Sequence, residues 1–375
     1  MKEIIDKQMT DAIAAGVFPG ASLLVSCQNK IVFFEHYGRT QIAGKPVDET
    51  TVFDLASFTK PLATTLSMLH MVQAGNIQLD QTISTIFSEK SVPDKLKITM
   101  RQLLCHQSGL PAHRPYFKQL LDIPKNKRSD MLLQMIFDEP LDHPPGKKTE
   151  YSDLGFMVLD AVIKRVTGYR LDTYVFQNIY RPLGLNAPFF INLFGAADIQ
   201  KINFAATEKC PWRKKILSGE VHDDNASVLG GICGHAGLFG TALDVYRLLN
   251  ILMGIYHNWP DQKEAHRVIN RKWLCTFFQI PEGAERPLGF DCPTPPKSSS
   301  GKFFSSNSVG HLGFTGTSFW MDLNKSIIII LLTNRVHPHR DNIKIRSFRP
   351  HIHDLIMQHL IRSKIFDKKT KTNPL

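Results

Sequence analysis

Both ends of this chain read as strands and its middle reads as helices, and few folds accommodate that order. Residues 21–27 and 30–37 are rich in apolar residues and are separated by Gln28-Asn29, a pair suited to a tight hairpin. Near the other end, residues 318–323 and 326–333 flank Asn324-Lys325 in the same way. The apolar run 327–332 is far too short to span a membrane and fits a buried strand. Between these hairpins, residues 59–74, 99–105, 154–166, 171–180 and 242–254 carry helical patterns. Gly75 and Gly168 are natural stops, and Thr99 a natural start. Amphipathic patterns at 4–13 and 348–361 add a helix at each end, and 294–302 reads as a mobile loop. The economical packing is an α/β fold of the α+β type. One antiparallel sheet is built from both chain ends and flanked by the terminal helices, with a mainly helical lobe inserted. The expected boundaries are a sheet lobe over about 1–56 and 303–362, a helical lobe over about 57–302, and a basic tail over 363–375.

At 375 residues, 43% hydrophobic and 21% charged, the chain can bury a large two-lobed core. Its first residues alternate charge with apolar positions at helical spacing, unlike a secretory leader, so a cytoplasmic protein is expected. Six cysteines without a C-x-x-C pair point to free thiols in a reducing compartment. The formal charge of +11 is concentrated late, at Arg335, Arg340, Lys344, Arg346 and Arg349 and then Lys364, Lys368, Lys369 and Lys371. No nucleic-acid module accompanies it, so a solvated basic face is expected and no nucleic-acid partner. His222-Asp223-Asp224, His337-x-His339 and His351-x-His353 lack a recognised ligand framework, and neither metal nor cofactor is expected.

The candidate chemistry lies in three short segments. In Ser57-Phe58-Thr59-Lys60 the serine sits one helical turn before the lysine, so the amine can reach the hydroxyl. An amine that accepts its proton makes a serine a usable nucleophile. Taken alone, the same four residues also describe an N-cap serine followed by a surface lysine. The second segment is Tyr151-Ser152-Asp153, after Pro144-Pro145-Gly146 and at the start of a helix. The third is His311-Leu312-Gly313, just before the last hairpin. Cys105-His106 is not read as a dyad, because neighbours on a helix do not face each other; His106, Ser108 and Gly109 are read as a turn.

In this order the segments resemble the serine β-lactamase and penicillin-binding superfamily, which carries S-x-x-K, then Y-x-N or S-x-N, then K-T-G or H-x-G. The class C-like branch, with its esterases and D-amino-acid peptidases, is the most similar. Residues 98–110, 151–156 and 234–240 resemble the same branch, and the likeness runs from about Gly16 to Leu360. The resemblance implies a β-lactamase/transpeptidase-like fold and a serine hydrolase. Ser57 would form an acyl-enzyme, and Lys60 and Tyr151 would shuttle the proton, with the identity of the base left open. Gly313 would let the backbone approach the substrate, and the N–H groups of Ser57 and Phe314 would form the oxyanion hole. His235 and Gly237 would lie near the pocket rim.

Two positions depart from the pattern. Asp153 stands where asparagine is frequent and could hold Lys60 cationic. His311 replaces a lysine that would grip a substrate carboxylate, and histidine is mostly neutral at pH 7; Arg335 or Arg340 could supply the missing cation. The expected function is hydrolysis of an ester or amide bond in a small ester, amide or peptide substrate. The alternatives are a β-lactamase or D,D-carboxypeptidase, and a catalytically silent binding member. The oligomeric state is left open.

Overall fold

The computed structural model describes residues 1–89, 94–195, 199 and 201–363. The basic tail expected over 363–375 therefore lies outside the described residues except for Ser363. Ten strands occur among the described residues: β1 (Gly20–Cys27), β2 (Lys30–Gly38), β3 (Phe53–Asp54), β4 (Phe189–Phe190), β5 (Lys209–Cys210), β6 (Lys215–Ile216), β7 (Leu238–Gly240), β8 (Ser308–Leu312), β9 (Ser318–Asp322) and β10 (Ile327–Thr333). The main sheet has the order β2-β1-β10-β9-β8 and is antiparallel throughout. It is built from both chain ends, as the hairpin signals require. In the first hairpin turn Gln28 and Asn29 have φ of 49° and 63°, the paired left-handed conformation that matches strand twist.

Side chains alternate across the sheet, and both faces are covered. Leu23, Val25, Ile327, Ile329 and Leu331 pack with Ile5 and Met9 of the helix Lys2–Ala14, and with Ile352 and Ile356 of the helix Ile345–Arg362. Leu24, Ile328, Ile330 and Leu332 point the other way, into the larger core. There the helix Ala242–His257 supplies Val245, Leu248 and Leu252. A strand buried on both faces has no position for a polar residue, which explains the unbroken apolar run in β10.

The other expected helices are present with local differences, whereas Arg128–Asp138 and Arg271–Phe278 are helices that the sequence reading did not mark. Thr99 caps Met100–Leu104 in a full capping box with Gln102. The helix expected over 59–74 is instead a 3₁₀ turn (Ala56–Phe58), a π turn (Lys60–Thr65) and an α-helix (Leu66–Gln73). Pro61 has no N–H to give the preceding turn, and the Thr64 hydroxyl donates to Gly234 O. The helix expected over 171–180 likewise widens into a π turn at Phe176–Tyr180. The loop 294–302 is irregular, but Ser298 and Ser300 are buried and Lys302 N donates to Asp354.

The turn between β9 and β10 is held by one carboxylate. Asp322 is fully buried and accepts from Ser305 N and Oγ, Asn324 N, Lys325 N and Lys325 Nζ at 2.9–3.1 Å. Removing it strands several donors at once. Asp322→Ala should lower the unfolding free energy by roughly 2–4 kcal/mol in urea titrations. Asp322→Asn, which keeps one acceptor oxygen, should lower it less.

Candidate active site

Ser57 sits on a turn that the surrounding chain holds under strain. Ala56, just before it, has φ of 47°, costly for a residue with a Cβ. The turn is fastened by Asp54, whose carboxylate accepts from Ala56 N at 2.8 Å and His222 N at 2.7 Å. Asp54 O accepts from Thr315 Oγ1 at 2.8 Å, and Thr59 Oγ1 donates to Ala56 O at 2.7 Å.

One turn on, Lys60 is fully buried. Its ammonium donates to Ser57 Oγ at 3.0 Å, Asp153 Oδ1 at 2.7 Å and His235 O at 3.3 Å. It also lies 4.8 Å from the centre of the Tyr151 ring. The segment carrying Tyr151 and Asp153 is positioned by the turn at 106–112. Ser152 N donates to His106 Nδ1 at 3.1 Å, Ser152 Oγ to Pro111 O at 2.7 Å, and Asp153 N to Ala112 O at 2.9 Å. The His106 ring lies 4.5 Å from that of Tyr151. Ser152 then caps the helix Asp153–Thr167, which places the Asp153 carboxylate in its first turn, where the helix dipole favours a negative charge.

The third wall is the edge strand β8 and the turn after it. A Cβ on Gly313 would lie 1.9 Å from Thr317 Oγ1 and 2.9 Å from Leu55 O, so only glycine lets this strand end approach the Ser57 turn so closely. Phe314 is half exposed, and its N–H donates to no acceptor among the described residues. Its carbonyl accepts from Arg335 Nε at 2.8 Å, and Arg335 lies 4.5 Å from its ring centre. His311 is buried, with Nδ1 2.8 Å from Leu312 O and its ring 6.0 Å from that of Tyr151. Ser57, Tyr151, Asp153, His311, Gly313 and Phe314 all line one cleft of about 640 Å³, and Lys60 forms its floor beneath Ser57.

A family model described as Beta-lactamase matches residues 2–350. The chain belongs to the beta-lactamase family. An N-acetylmuramyl-L-alanine amidase of Bacillus subtilis (strain 168) is 31% identical over 369 residues, covering 89% of this chain and 80% of the relative. A putative D-alanyl-D-alanine carboxypeptidase of Escherichia coli O157:H7 is 30% identical, with 89% and 82% covered. Among solved structures, EstCE1, a hydrolase with promiscuous acyltransferase activity, superposes with a TM-score of 0.70 at 21% identity, covering 93% of this chain and 98% of its own. The octameric penicillin-binding protein homologue from Pyrococcus abyssi does so with a TM-score of 0.71 at 18% identity, covering 98% and 78%. At these identities the two structures bear on the fold alone.

In this beta-lactamase-family hydrolase the cleft is dominated by paired charges. Burial disfavours the Lys60 ammonium, but Asp153 and Tyr151 more than compensate and hold its pKa above that of an ordinary lysine. Burial likewise works against the Asp153 carboxylate, yet Lys60 and His113 pull its pKa far below the usual range. Asp153 therefore stabilises the fold above the ordinary carboxylate range and stops doing so in acid; Lys60 does so below the ordinary lysine range and stops in alkali. At neutral pH the pair is intact. Burial raises the Tyr151 phenol, partly offset by Lys60. Burial lowers His311 to about 4, so its imidazole is neutral.

Two cleft residues carry no signal in the sequence. His113, 3.4 Å from Asp153, comes from the 106–115 loop, and Arg286 lies 5.7 Å from the Tyr151 ring centre. His235 is buried and pairs through Nε2 with Asp223 at 2.9 Å. The triplet His222-Asp223-Asp224 is divided among separate partners: His222 meets Glu208, Asp223 meets His235, and Asp224 meets Arg213 and Arg340. Cys105 turns away to Gln107, while His106 contacts Tyr151.

The electrostatics predict the effect of neutralising Asp153. Asp153→Asn removes the charge that raises both Lys60 and Tyr151. The ascending limb of the kcat/KM profile against pH should then move down by about one pH unit or more. Hydrolysis of a neutral chromogenic ester across pH 5–10 measures it, and an unmoved limb would show that neither group limits the rate.

Proposed function

We propose that this beta-lactamase-family hydrolase cleaves an ester or amide bond of a small substrate through an acyl-enzyme on Ser57. The observation that carries this reading is the 3.0 Å contact between the buried Lys60 ammonium and Ser57 Oγ, at the floor of a cleft also lined by Tyr151. Because Asp153 holds Lys60 cationic, Lys60 is a poor base, and we assign the proton transfer from Ser57 to Tyr151. Only the Tyr151 phenolate can accept that proton; it is the minor form at neutral pH, its own proton having gone to solvent, and the Lys60 ammonium lowers the cost of forming it. Tyr151 would then return the proton to the leaving group, and water would attack the acyl-enzyme by the same route in reverse. The Phe314 N–H, free of acceptors among the described residues, and the Ser57 N–H would take the developing oxyanion, an arrangement worth several kcal/mol in the transition state.

The substrate preference follows from His311. With Nδ1 donating to Leu312 O, its neutral ring offers Nε2 as an acceptor. That suits an N–H or O–H of the acyl group, and this ring gives nothing to a carboxylate. The amidase and carboxypeptidase relatives support an amide or peptide substrate, and we rank β-lactam hydrolysis below these reactions. No helix among the described residues is long and apolar enough to cross a membrane. The six free thiols support a cytoplasmic setting.

Ser57→Ala should abolish fluorophosphonate labelling and turnover while leaving the thermal melt nearly unchanged; labelling that persists would overturn the assignment of the nucleophile. Lys60→Met and Tyr151→Phe should each cost orders of magnitude in kcat, and the double variant little more than either, since groups acting as a unit are not additive.

Short-chain p-nitrophenyl esters should be turned over with higher kcat/KM than nitrocefin. His311→Lys should move the ratio towards the β-lactam by about ten- to a hundredfold, the value of a charge-assisted hydrogen bond.

A further inference from the structure

One end of the cleft carries charge that nothing balances. Each carboxylate lining the cleft has a cationic partner: Asp153 has Lys60 and His113, Asp223 has His235, Asp224 has Arg213 and Arg340, and Asp291 has Arg286. Three arginines on the same lining remain unpaired: Arg335, Arg346 and Arg349. Among the described residues none of them has a carboxylate within ion-pair distance. Arg335 is 6% exposed and donates to the carbonyls of Phe314, Arg340 and Asn342. Arg349 is 5% exposed; one nitrogen reaches Thr317 O at 3.2 Å, and its buried Nε–H meets no acceptor among the described residues. Arg346 is exposed and its side chain makes no hydrogen bond or ion pair among the described residues.

Their mutual repulsion is felt in the structure. Burial and the charge of Arg346 lower Arg335 to about 10, and Arg349 is lowered by burial and by its two neighbours, with only Asp291 opposing. Arg346 and Arg349 also stand in the first turns of the helix Ile345–Arg362, whose first turn contains no acidic residue. An 18-residue helix turns the positive end of its dipole towards this place. Clustered cations around a buried unpaired guanidinium cost stability unless an anion joins them.

From the three guanidiniums Arg335, Arg346 and Arg349, which lack a carboxylate partner at one end of the Ser57 cleft beside Phe314 and a helix N-terminus, we infer a subsite for a phosphate monoester carried by the substrate. A single carboxylate would leave two of the three charges unanswered. A phosphate monoester carries a charge of about −1.5 to −2 and three acceptor oxygens, which the open donors of Arg346 and Arg349 match, while Arg335, its donors taken by backbone carbonyls, adds charge. This subsite deepens the reading of the cleft as the active site and rests on it, but its binding step needs no turnover.

Calorimetric titration of the full chain with phenyl phosphate tests it, with benzoate and phthalate as the one- and two-carboxylate arms. Phenyl phosphate should bind the unmodified protein and Ser57→Ala equally, at least about tenfold more tightly than benzoate or phthalate. Arg346→Gln, an exposed change that leaves the fold alone, should weaken it by about tenfold, and Arg346→Glu by more. Arg349→Gln, checked by thermal melt for folding, should weaken it further. No binding to the unmodified protein, equal binding by benzoate or phthalate, or binding indifferent to Arg346→Gln would each overturn the subsite. Loss of the nucleophile assignment alone would appear as turnover surviving in Ser57→Ala, with phosphate binding untouched.

Discussion

The antiparallel pairing of β1 with β10 is the constraint on which everything else depends. It joins Ala21–Cys27 to Ile327–Thr333, segments from opposite ends of the chain, in an uninterrupted register. Once that pairing exists, β9 and β8 must continue the sheet on the far side of β10, and β8 delivers His311 to the sheet edge. The same pairing makes β10 a central strand between two cores, one under the terminal helices and one under Ala242–His257. Sealing both faces explains why the terminal helices pack on the sheet between them. The cleft then forms where the sheet edge meets the turn carrying Ser57.

Within that frame the chemistry of the cleft is a matter of buried charge. A fully buried ammonium is tolerable only with close partners, and Lys60 has Asp153, the Ser57 hydroxyl and the His235 carbonyl. Asp153 itself is held by helix capping and by His113. His235, which accepts from Lys60 through its backbone, is anchored through its ring to Asp223, and Asp223 in turn caps the short helix Asp224–Val228. Ser57 is thus fixed by a chain of ionic and capping contacts that crosses four loops. The strained φ of Ala56 persists because Asp54 and Thr59 fasten the turn from both sides.

Much of this was legible in the residues. The hairpins, the Thr99 cap, the helix opening after Ser152 and the order of the three motifs are local signals, because turn conformation, capping and periodicity depend on neighbours in sequence. Other features were not. The π turn at Lys60–Thr65, whose Thr64 hydroxyl bonds across to Gly234, a residue distant in sequence, had no local signal. His113 and Arg286 lie in loops with no periodicity, and their spacing says nothing about a common cleft. In His222-Asp223-Asp224 the backbone turns each side chain to a different partner, which adjacency in sequence does not reveal.

By itself the sequence determined the sheet-from-both-ends architecture, the position of Ser57 one turn before Lys60, and the absence of a lysine at His311. Each follows from short-range pattern or residue type, which no tertiary context can change. Only the tertiary structure decided the protonation of the cleft and where its net charge lies. Whether Lys60 is cationic depends on Asp153, far away in the chain, and whether Arg335 and Arg349 are solvated or buried depends on how the last helix docks beside Phe314. Burial and ion pairing are properties of distances between distant residues, and those distances exist only once the two ends of the chain have met in one sheet.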